Sequence, residues 1–403
     1  MNAATAKTLA INGGTPVRSQ PMPARFAFGE AELAMVNEVF RYYGERQADP
    51  GYQGHFEQLY CQEFAASMGG GYADAVATGT AAVYVALAAL GLPEGCEVIV
   101  SPITDPGSVN AIIHARLTPK LADSAPGSYN MGVEQFAARI GPKTRAVVVV
   151  HSAGQAAEID LIVREAHARN LRVVEDCSQA HLACRLGQPV GSFGDIAAFS
   201  TMYRKASITG ASGGVVYSRD LALHRVALAH ADRGKTPWLP GFDDKDPGHF
   251  LFPALNLHAD ELSCAVGIAS WRRLPQTIAA RLAYVQGLDR LRETSRLCRP
   301  YGWSAGDSPF FYPIIVDTAA LPVSKREFAA MVAAEGIGLN AHYTYMLADW
   351  GYLRPYLADE FETVNARAIR DTSFNLFVNE KYGTREVEDT LTAILKVEHA
   401  LMS

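Results

Sequence analysis

The sequence predicts an α/β fold with a mostly parallel central sheet, followed by a smaller C-terminal α+β domain. Short apolar runs alternate with longer segments of helical periodicity, as in a chain of strand–helix units. These runs are continuous rather than alternating, which is typical of strands that are covered on both faces. The chain has 403 residues, of which 49% are hydrophobic and 19% are charged, so it can bury a large core.

The first part of the chain, residues 1–270, is predicted to form an N-terminal arm and the large domain. The arm occupies about the first 30 residues and contains the turn signal I-N-G-G-T-P. Helical periodicity or short apolar runs define the remaining elements. Helices are expected at residues 30–43, 56–68, 81–90, 107–114, 132–139 and 158–169, and strands at 75–78, 97–101, 120–122, 146–151, 172–175, 197–200 and 214–217.

The remaining part, residues 271–403, is predicted to hold the end of a bridging helix and the small domain. The bridging helix follows from a long helical pattern over residues 259–295. Within the small domain, strands are expected at 310–316 and 337–340, and helices at 325–335 and 385–400.

Composition and charge exclude several classes of protein. The net charge is −6 and Lys and Arg form no run, which argues against nucleic acid as a partner. The sequence contains neither a signal-peptide core nor an apolar stretch of about 20 residues, so we expect no membrane association and a cytoplasmic location. The six cysteines are scattered, which predicts reduced thiols and no metal site.

A turn between a predicted strand and a helix holds Thr78, Gly79 and Thr80. Glycine lets backbone N–H groups approach an anion, and the N-terminus of a helix favours negative charge. The turn is therefore a candidate phosphate site. The same residues also suit an ordinary helix start, in which Thr78 is only the N-cap.

Asp176 and Lys205 follow two other predicted strands. A carboxylate at the end of an apolar strand is expected to be buried and to need a cation or several donors. A lysine that forms an imine must lose its proton near neutral pH, which burial favours. A plain helix cap and a solvated lysine are the structural alternatives, but the phosphate-type turn, Asp176 and Lys205 all fit one pyridine-type cofactor.

These motifs resemble the DegT/StrS family of pyridoxal-phosphate enzymes, most of which are sugar aminotransferases of the fold type I architecture. The resemblance extends over nearly the whole chain. Its markers are T-G-T-A-A (78–82), H-S-A-G-Q-A-A-E-I-D (151–160), E-D-C-S-Q-A-H (175–181), G-S-F-G-D-I-A-A-F-S (191–200), Lys205, G-G-V-V (213–216) and A-H-Y (341–343).

The resemblance implies a role for each matching residue. Lys205 would form the internal aldimine with pyridoxal 5'-phosphate and later carry the proton. Asp176 would pair with the pyridine nitrogen, and Gln179 would hydrogen-bond the ring hydroxyl. The phosphate would be held by Gly79, Thr80 and Ser200, with Asn256 reaching it from the partner subunit of a homodimer with shared active sites. Ala180 would pack on one face of the ring.

The chain departs from the family pattern around this constellation. Asp105 stands where the family usually places an aromatic residue that stacks on the cofactor. The residues before the lysine are Met202 to Arg204, and His258 replaces an arginine that often follows the asparagine. Candidate substrate contacts are Tyr203, Arg204, His342 and Tyr343.

The leading hypothesis is a transaminase that moves an amino group from an amino acid donor, expected to be glutamate, to a sugar, sugar acid or cyclitol. A second hypothesis keeps the cofactor but changes the reaction to a dehydration, as in the family's aminohydroxybenzoate synthases. A third is a pyridoxal-phosphate-binding regulator without turnover. Retention of Lys205 argues against the histidine-bearing dehydratases of the family.

Overall fold

A seven-stranded sheet forms the centre of the large domain in the computed structural model, which describes residues 8–402. The strands up to residue 218 are β1 (Tyr72–Val76), β2 (Glu97–Val100), β3 (Thr118–Leu121), β4 (Thr144–Val150), β5 (Arg172–Asp176), β6 (Cys184–Arg185), β7 (Gln188–Pro189), β8 (Ile196–Ser200) and β9 (Gly214–Ser218). Strands β6 and β7 form a separate hairpin. The other seven lie in the order β1-β9-β8-β5-β4-β2-β3.

Most of this sheet is parallel. Strands β3, β2, β4, β5 and β8 pair in parallel, whereas β9 is antiparallel to both β8 and β1. The predicted α/β fold with a mostly parallel central sheet is therefore confirmed. Because β1 runs in the same direction as β8, the carboxyl ends of six strands meet at one edge of the sheet, where ligands collect in such folds.

Helices cover both faces of the sheet. In the large domain they are α1 (Glu30–Arg46), α2 (His55–Ser67), α3 (Gly79–Ala89), α4 (Pro106–His114), α5 (Val133–Ala137), α6 (Ile159–His167), α7 (Leu221–Ala231) and α8 (Glu261–Gly287). Helices α3, α4 and α7 pack on one face. The opposite face is covered by α2 and α8 beside β1, β8 and β9, and by α5 and α6 beside β4 and β5.

The small domain is built on an antiparallel sheet of four strands in the order β10-β11-β13-β12. Its elements are α9 (Leu291–Thr294), β10 (Cys298–Pro300), β11 (Phe311–Val316), α10 (Lys325–Ala334), β12 (Leu339–Asn340), α11 (Val364–Asp371), β13 (Ser373–Phe377) and α12 (Thr384–Met402). Helix α8 spans the predicted boundary at residue 270, so the division of the chain at that residue stays a prediction.

The N-terminal arm has little regular structure from residue 8 onward. A short 3-10 helix at Ala10–Asn12 is its one regular element before α1 in the described part of the chain. The start of the predicted arm, residues 1–7, lies outside the described residues. Over residues 8–402, no helix combines the length and the apolar character that crossing a membrane requires.

Candidate active site

A cavity of about 220 Å³ opens at the edge where the carboxyl ends of the parallel strands meet. The residues that line it come from the segments after β1, β2 and β5, from the ends of β4, β5 and β8, and from the loop after β8. They are Thr78, Gly79, Thr80, Val83, Thr104, Asp105, Gly107, Ser108, Val150, Asp176, Ser178, Gln179, Ser200, Met202, Lys205 and Ser212.

The N-terminus of α3 forms one wall of the cavity. Thr78 is the N-cap of this helix, and its Oγ1 accepts a hydrogen bond of 2.8 Å from the backbone N–H of Ala81. Gly79 lies so close to β8 that a Cβ atom at this position would come within 2.4 Å of the Cβ of Ser200. The close packing requires glycine at residue 79. The free N–H groups and the dipole of the helix end favour an anion in the cavity.

Asp176 supplies a buried carboxylate at the end of β5. It is 4% exposed, and its Oδ1 accepts a hydrogen bond of 3.1 Å from the backbone N–H of Ser178. Its Oδ2 accepts a bond of 2.6 Å from the hydroxyl of Ser108, whose oxygen lies 2.8 Å from Oγ1 of Thr104. Because the single Ser108 hydrogen goes to Asp176, Thr104 donates to Ser108. A carboxylate can accept about four hydrogen bonds, so Asp176 retains capacity for a cationic ligand.

Lys205 lies on the loop of residues 201–213, which we call the lysine loop. The loop is closed by a hydrogen bond of 2.9 Å from the Thr201 N–H to the carbonyl of Gly213. Burial lowers the pKa of the Lys205 amine, and the opposing attraction of Asp176 and Asp105 does not cancel that effect. A lowered pKa leaves more of the amine unprotonated, which is the form that attacks a carbonyl.

His181 ties the lysine loop to β8. Its Nε2 donates to the carbonyl of Ser200 at 2.9 Å, and its Nδ1 accepts from the N–H of Ser207 at 3.2 Å. Burial, reinforced by the charge of Lys205, lowers the pKa of His181 to about 3, so the ring is neutral. The neutral ring connects the two segments on either side of Lys205.

Gln179 lies in the cavity wall and is held by two neighbours. Its Oε1 accepts a hydrogen bond of 3.0 Å from the N–H of Ala153. The hydroxyl of Tyr343 forms a hydrogen bond with Gln179, and burial raises the pKa of this hydroxyl. Tyr343 is one of the predicted substrate contacts. In the structure it is a buried neighbour of Gln179 and does not line the cavity.

Asp105 lines the cavity and is also the N-cap of α4. Its Oδ1 accepts from the N–H of Gly107 at 2.9 Å, and the side chain is exposed to solvent. The aromatic ring beside Lys205 belongs instead to Phe310, whose centroid lies 4.6 Å from the lysine Nζ. The sequence pattern predicts Phe310 as the first residue of a strand and carries no sign of this contact.

The remaining candidates lie outside the cavity wall. Asn256 is exposed, and its Nδ2 donates to the hydroxyl of Tyr52 at 3.2 Å. Tyr203 and Arg204 are exposed on the lysine loop, and His342 lies 3.5 Å from the amino group of Lys325. Ala180 is fully buried and does not line the cavity. The assigned contacts of these residues therefore stay predictions.

A compact cluster of His151, Glu175 and Cys177 lies beneath the site, with ligand-type atoms within 4.8 Å of one another. Glu175 accepts hydrogen bonds from His151 and from the backbone N–H groups of Gly191, Phe193 and Gly194. His151 accepts a further bond from the Ala157 N–H through its Nδ1. The polar atoms of the carboxylate and the ring are thus occupied by the fold, and this cluster supports the loop after β7 rather than a metal site.

The fold and the cavity define the class of the protein: it is an enzyme with the architecture of fold type I aminotransferases, with a lysine and a buried carboxylate at the carboxyl edge of its sheet. A model of the DegT/DnrJ/EryC1/StrS aminotransferase family matches residues 30–395. The chain belongs to this family and is an aminotransferase.

Known proteins of two kinds resemble the chain. It is 31% identical over 322 residues to the L-glutamine:2-deoxy-scyllo-inosose aminotransferase of Streptoalloteichus tenebrarius, an alignment that covers 78% of this chain and 74% of the relative. It is 38% identical over 182 residues to the GDP-perosamine synthase of Escherichia coli O157:H7, which covers 45% and 50% of the two chains. The crystal structure of an aminotransferase from Psychrobacter cryohalolentis matches with a TM-score of 0.85 and 28% identity, over 95% of this chain and all of the other.

Proposed function

We propose that this protein is a pyridoxal-phosphate-dependent aminotransferase that transfers the amino group of glutamate or glutamine to a keto group on a cyclitol or sugar. The observation that carries the proposal is the convergence of three features on one cavity. These features are the N-terminus of α3, the Asp176 carboxylate and the Lys205 amine.

The residues present fit pyridoxal phosphate. The N-terminus of α3, with Gly79 and Thr80, suits the phosphate, and Ser200 lies beside them. Asp176, which already accepts from Ser108 and Ser178, has capacity left for a protonated pyridine nitrogen. The amide nitrogen of Gln179 carries two hydrogens, so one remains to donate to a ring oxygen beside the hydrogen bond with Tyr343, while its Oε1 accepts from Ala153.

The protein groups would divide the work of an amino transfer among them. The bound cofactor supplies an electron sink for the carbon that loses or gains a proton. Lys205 would hold the cofactor covalently at rest and, once released, carry that proton on its amine. Asp176 would keep the ring nitrogen protonated, because a carboxylate stabilises a neighbouring cation in a buried site.

The cavity wall favours a neutral polyol acceptor over a nucleotide-linked sugar. Asp105 places an exposed carboxylate on this wall, with one oxygen committed to capping α4. The other oxygen can accept from hydroxyl groups of a cyclitol, whereas its charge opposes a diphosphate. The name of the Streptoalloteichus relative, which specifies a keto-cyclitol, supports the same class of acceptor.

We further propose a cytoplasmic homodimer in which Asn256 reaches the phosphate of the partner's site. Two observations support this arrangement: Asn256 is exposed, and it lies outside the cavity of its own chain. The absence of a membrane-crossing helix among residues 8–402 is compatible with a protein that works in the cytoplasm.

The test is to saturate the enzyme with pyridoxal phosphate, reduce it with borohydride and locate the modified lysine by mass spectrometry. The modification is expected on Lys205, and Lys205→Ala should lose both the modification and all amino transfer. The exposed Lys245 offers a matched control, since Lys245→Ala should behave as the wild type. Turnover retained in Lys205→Ala would contradict the proposal.

The acceptor is tested separately. Glutamate and glutamine should each be tried as donors, followed by 2-deoxy-scyllo-inosose and a nucleotide-linked ketosugar as acceptors. Amine transfer to the cyclitol is the expected result. Loss of water from the acceptor without amine transfer would indicate the dehydratase alternative, and bound cofactor without turnover on any donor would indicate a regulator.

A further inference from the structure

Three charged side chains from distant parts of the chain meet behind the lysine loop. Glu380, which follows β13 in the small domain, accepts hydrogen bonds of 3.0 Å from both Arg25 and Arg281. Arg25 belongs to the N-terminal arm, and Arg281 lies on α8, where its side chain is 1% exposed. We call these three residues the arginine–glutamate clamp.

One arm of the clamp holds the backbone of the lysine loop. The guanidinium of Arg25 donates from Nη1 to the carbonyl of Tyr203 and from Nη2 to the carbonyl of Ala206, both at 3.0 Å. These two carbonyls flank Lys205. The planar fork of an arginine can bind two acceptors and a carboxylate at once, which a lysine cannot do.

The other arm holds the segment that carries the aromatic ring beside Lys205. Arg281 donates from Nη1 to the carbonyl of Pro309 at 3.1 Å, and the next residue is Phe310, whose ring contacts the Lys205 amine. The same segment is fixed from the large domain, because the Phe310 N–H donates to the carbonyl of Ala153 at 3.2 Å. Ala153 also donates to the Oε1 of Gln179 in the cavity wall.

The clamp combines two positive charges with one negative charge, and all three side chains are largely removed from solvent. Burial works to raise the pKa of the Glu380 carboxyl, but Arg281 and Arg25 outweigh it and hold that pKa below its usual value. A buried charge of this kind keeps its partners in one geometry, since separating them leaves a charge without compensation. The clamp therefore fixes the distance between the lysine loop and the Pro309–Phe310 segment.

We propose that Glu380 is a positioning residue for Lys205: through Arg25 and Arg281 it holds the backbone on both sides of the lysine and the ring that shields its amine. The small domain and the N-terminal arm thereby control the hydration and direction of a group that belongs to the large domain. This inference rests on the proposed role of Lys205.

Two substitutions loosen the clamp without changing its charge. Arg25→Lys cannot bind both carbonyls and the carboxylate, and Glu380→Asp is too short to reach both arginines. Because the net charge near Lys205 is unchanged, any effect on its amine arises from geometry and hydration.

The chain offers a matched control in a second buried ion cluster of the arm. Arg18 pairs with Glu386 at 3.0 Å and with Asp389 at 2.7 Å, and its side chain is 5% exposed. Neither Arg18 nor its partners line the cavity. Arg18→Lys should therefore destabilise the fold to a comparable degree without acting on Lys205.

The experiment measures the reactivity of Lys205 in the cofactor-free protein. Acetic anhydride is applied over a range of pH, and acetylation of Lys205 is quantified by mass spectrometry against the exposed Lys245. In the wild type, Lys205 should react at lower pH than Lys245. In Arg25→Lys and Glu380→Asp, the pH at which acetylation of Lys205 is half-maximal (the midpoint) should rise towards the value for Lys245. Donor turnover should fall about tenfold or more.

The control decides between positioning and general stability. Arg18→Lys should lower the melting temperature but leave the Lys205 midpoint and the turnover unchanged. The proposal is overturned if the two clamp variants keep the wild-type midpoint, or if Arg18→Lys shifts it equally. Borohydride reduction of the cofactor complex is read separately, so a failure of Lys205 as the attachment site contradicts the proposed function and not the clamp.

Discussion

The hydroxyl of Ser108, on the first turn of α4, donates to the Asp176 carboxylate at the end of β5 over 2.6 Å. The two residues are 68 positions apart in the sequence. The bond fixes the direction of the carboxylate in the cavity, and the hydroxyl of Thr104 in turn fixes Ser108. The orientation of the Asp176 carboxylate thus depends on a serine that lies outside the sequence motifs of the site.

Ser108→Ala should lower kcat about tenfold to hundredfold, because a hydrogen bond to a charged group contributes about 1.5–3 kcal/mol. Steady-state kinetics with saturating cofactor would measure the loss. Ser101→Ala is a matched control, since Ser101 is another buried serine, whose oxygen accepts from the Val150 N–H and does not contact Asp176. Equal losses in both variants would assign Ser108 a purely structural role.

Asp176→Asn should retain the cofactor but slow the donor half-reaction about a hundredfold or more, because a neutral ring nitrogen is a weaker electron sink. The rate of this half-reaction would be measured by rapid mixing with glutamate while the absorbance of the bound cofactor is followed. Asp105→Asn provides the comparison, because asparagine caps a helix as well as aspartate does. That variant should chiefly change the preference among acceptors. A wild-type rate in Asp176→Asn would refute the pairing with the nitrogen.

His181 should make the protein sensitive to acid. Its folded-state pKa is about 3 and its ordinary value is 6.5, so between these limits the unfolded chain binds a proton that the folded protein does not. The free energy of unfolding should therefore fall as pH falls through this window, by up to about 1.4 kcal/mol per pH unit. This contribution is fully present above pH 6.5.

Urea unfolding at several pH values tests the contribution of His181. His181→Gln should be less stable than the wild type at pH 7, and the difference should narrow on acidification. The exposed His114 serves as the control for loss of an imidazole ring, and His114→Gln is unfolded in urea under the same conditions. A His181→Gln difference that does not change with pH would contradict the prediction.

Asn256 variants should weaken cofactor binding in the partner's site if the residue crosses the dimer interface. Mixing Asn256→Ala subunits with Lys205→Ala subunits should restore activity, because each mixed dimer then has one intact site. Activity is measured after exchange of the subunits, with each variant alone as the control. Mixed dimers no more active than the Asn256→Ala dimers alone would show that Asn256 does not act on the partner's site.

The sequence predicted the strand ends that carry chemistry because those signals are local. Asp176 ends an apolar run, and Gly79 stands between a strand and a helix, so a parallel sheet places both at one edge. The prediction lacks β13, one of the two inner strands of the small sheet. It is five residues long and contains a polar residue, Asn375, whose buried Oδ1 accepts a hydrogen bond from the hydroxyl of Tyr129.

The support of the site could not be predicted, because it depends on contacts between distant segments. Ser108 reads as an ordinary residue in the first turn of α4, and nothing near Arg25 in the sequence points to Glu380, 355 positions away. Phe310 reads as part of a strand. Sequence patterns report which residues share an element, but pairings of this kind depend on how elements that are distant in the sequence pack together.

The close approach of Gly79 to Ser200 has a consequence for protein engineering. The groups that suit the cofactor phosphate are main-chain atoms of a tightly packed helix start, where even a methyl group would collide with β8. Substitution of side chains therefore leaves these main-chain groups largely unchanged. Asp105 instead carries a side chain on the cavity wall, so a mutagenesis library confined to that position should diversify the acceptor range while the main-chain groups that suit the phosphate are kept.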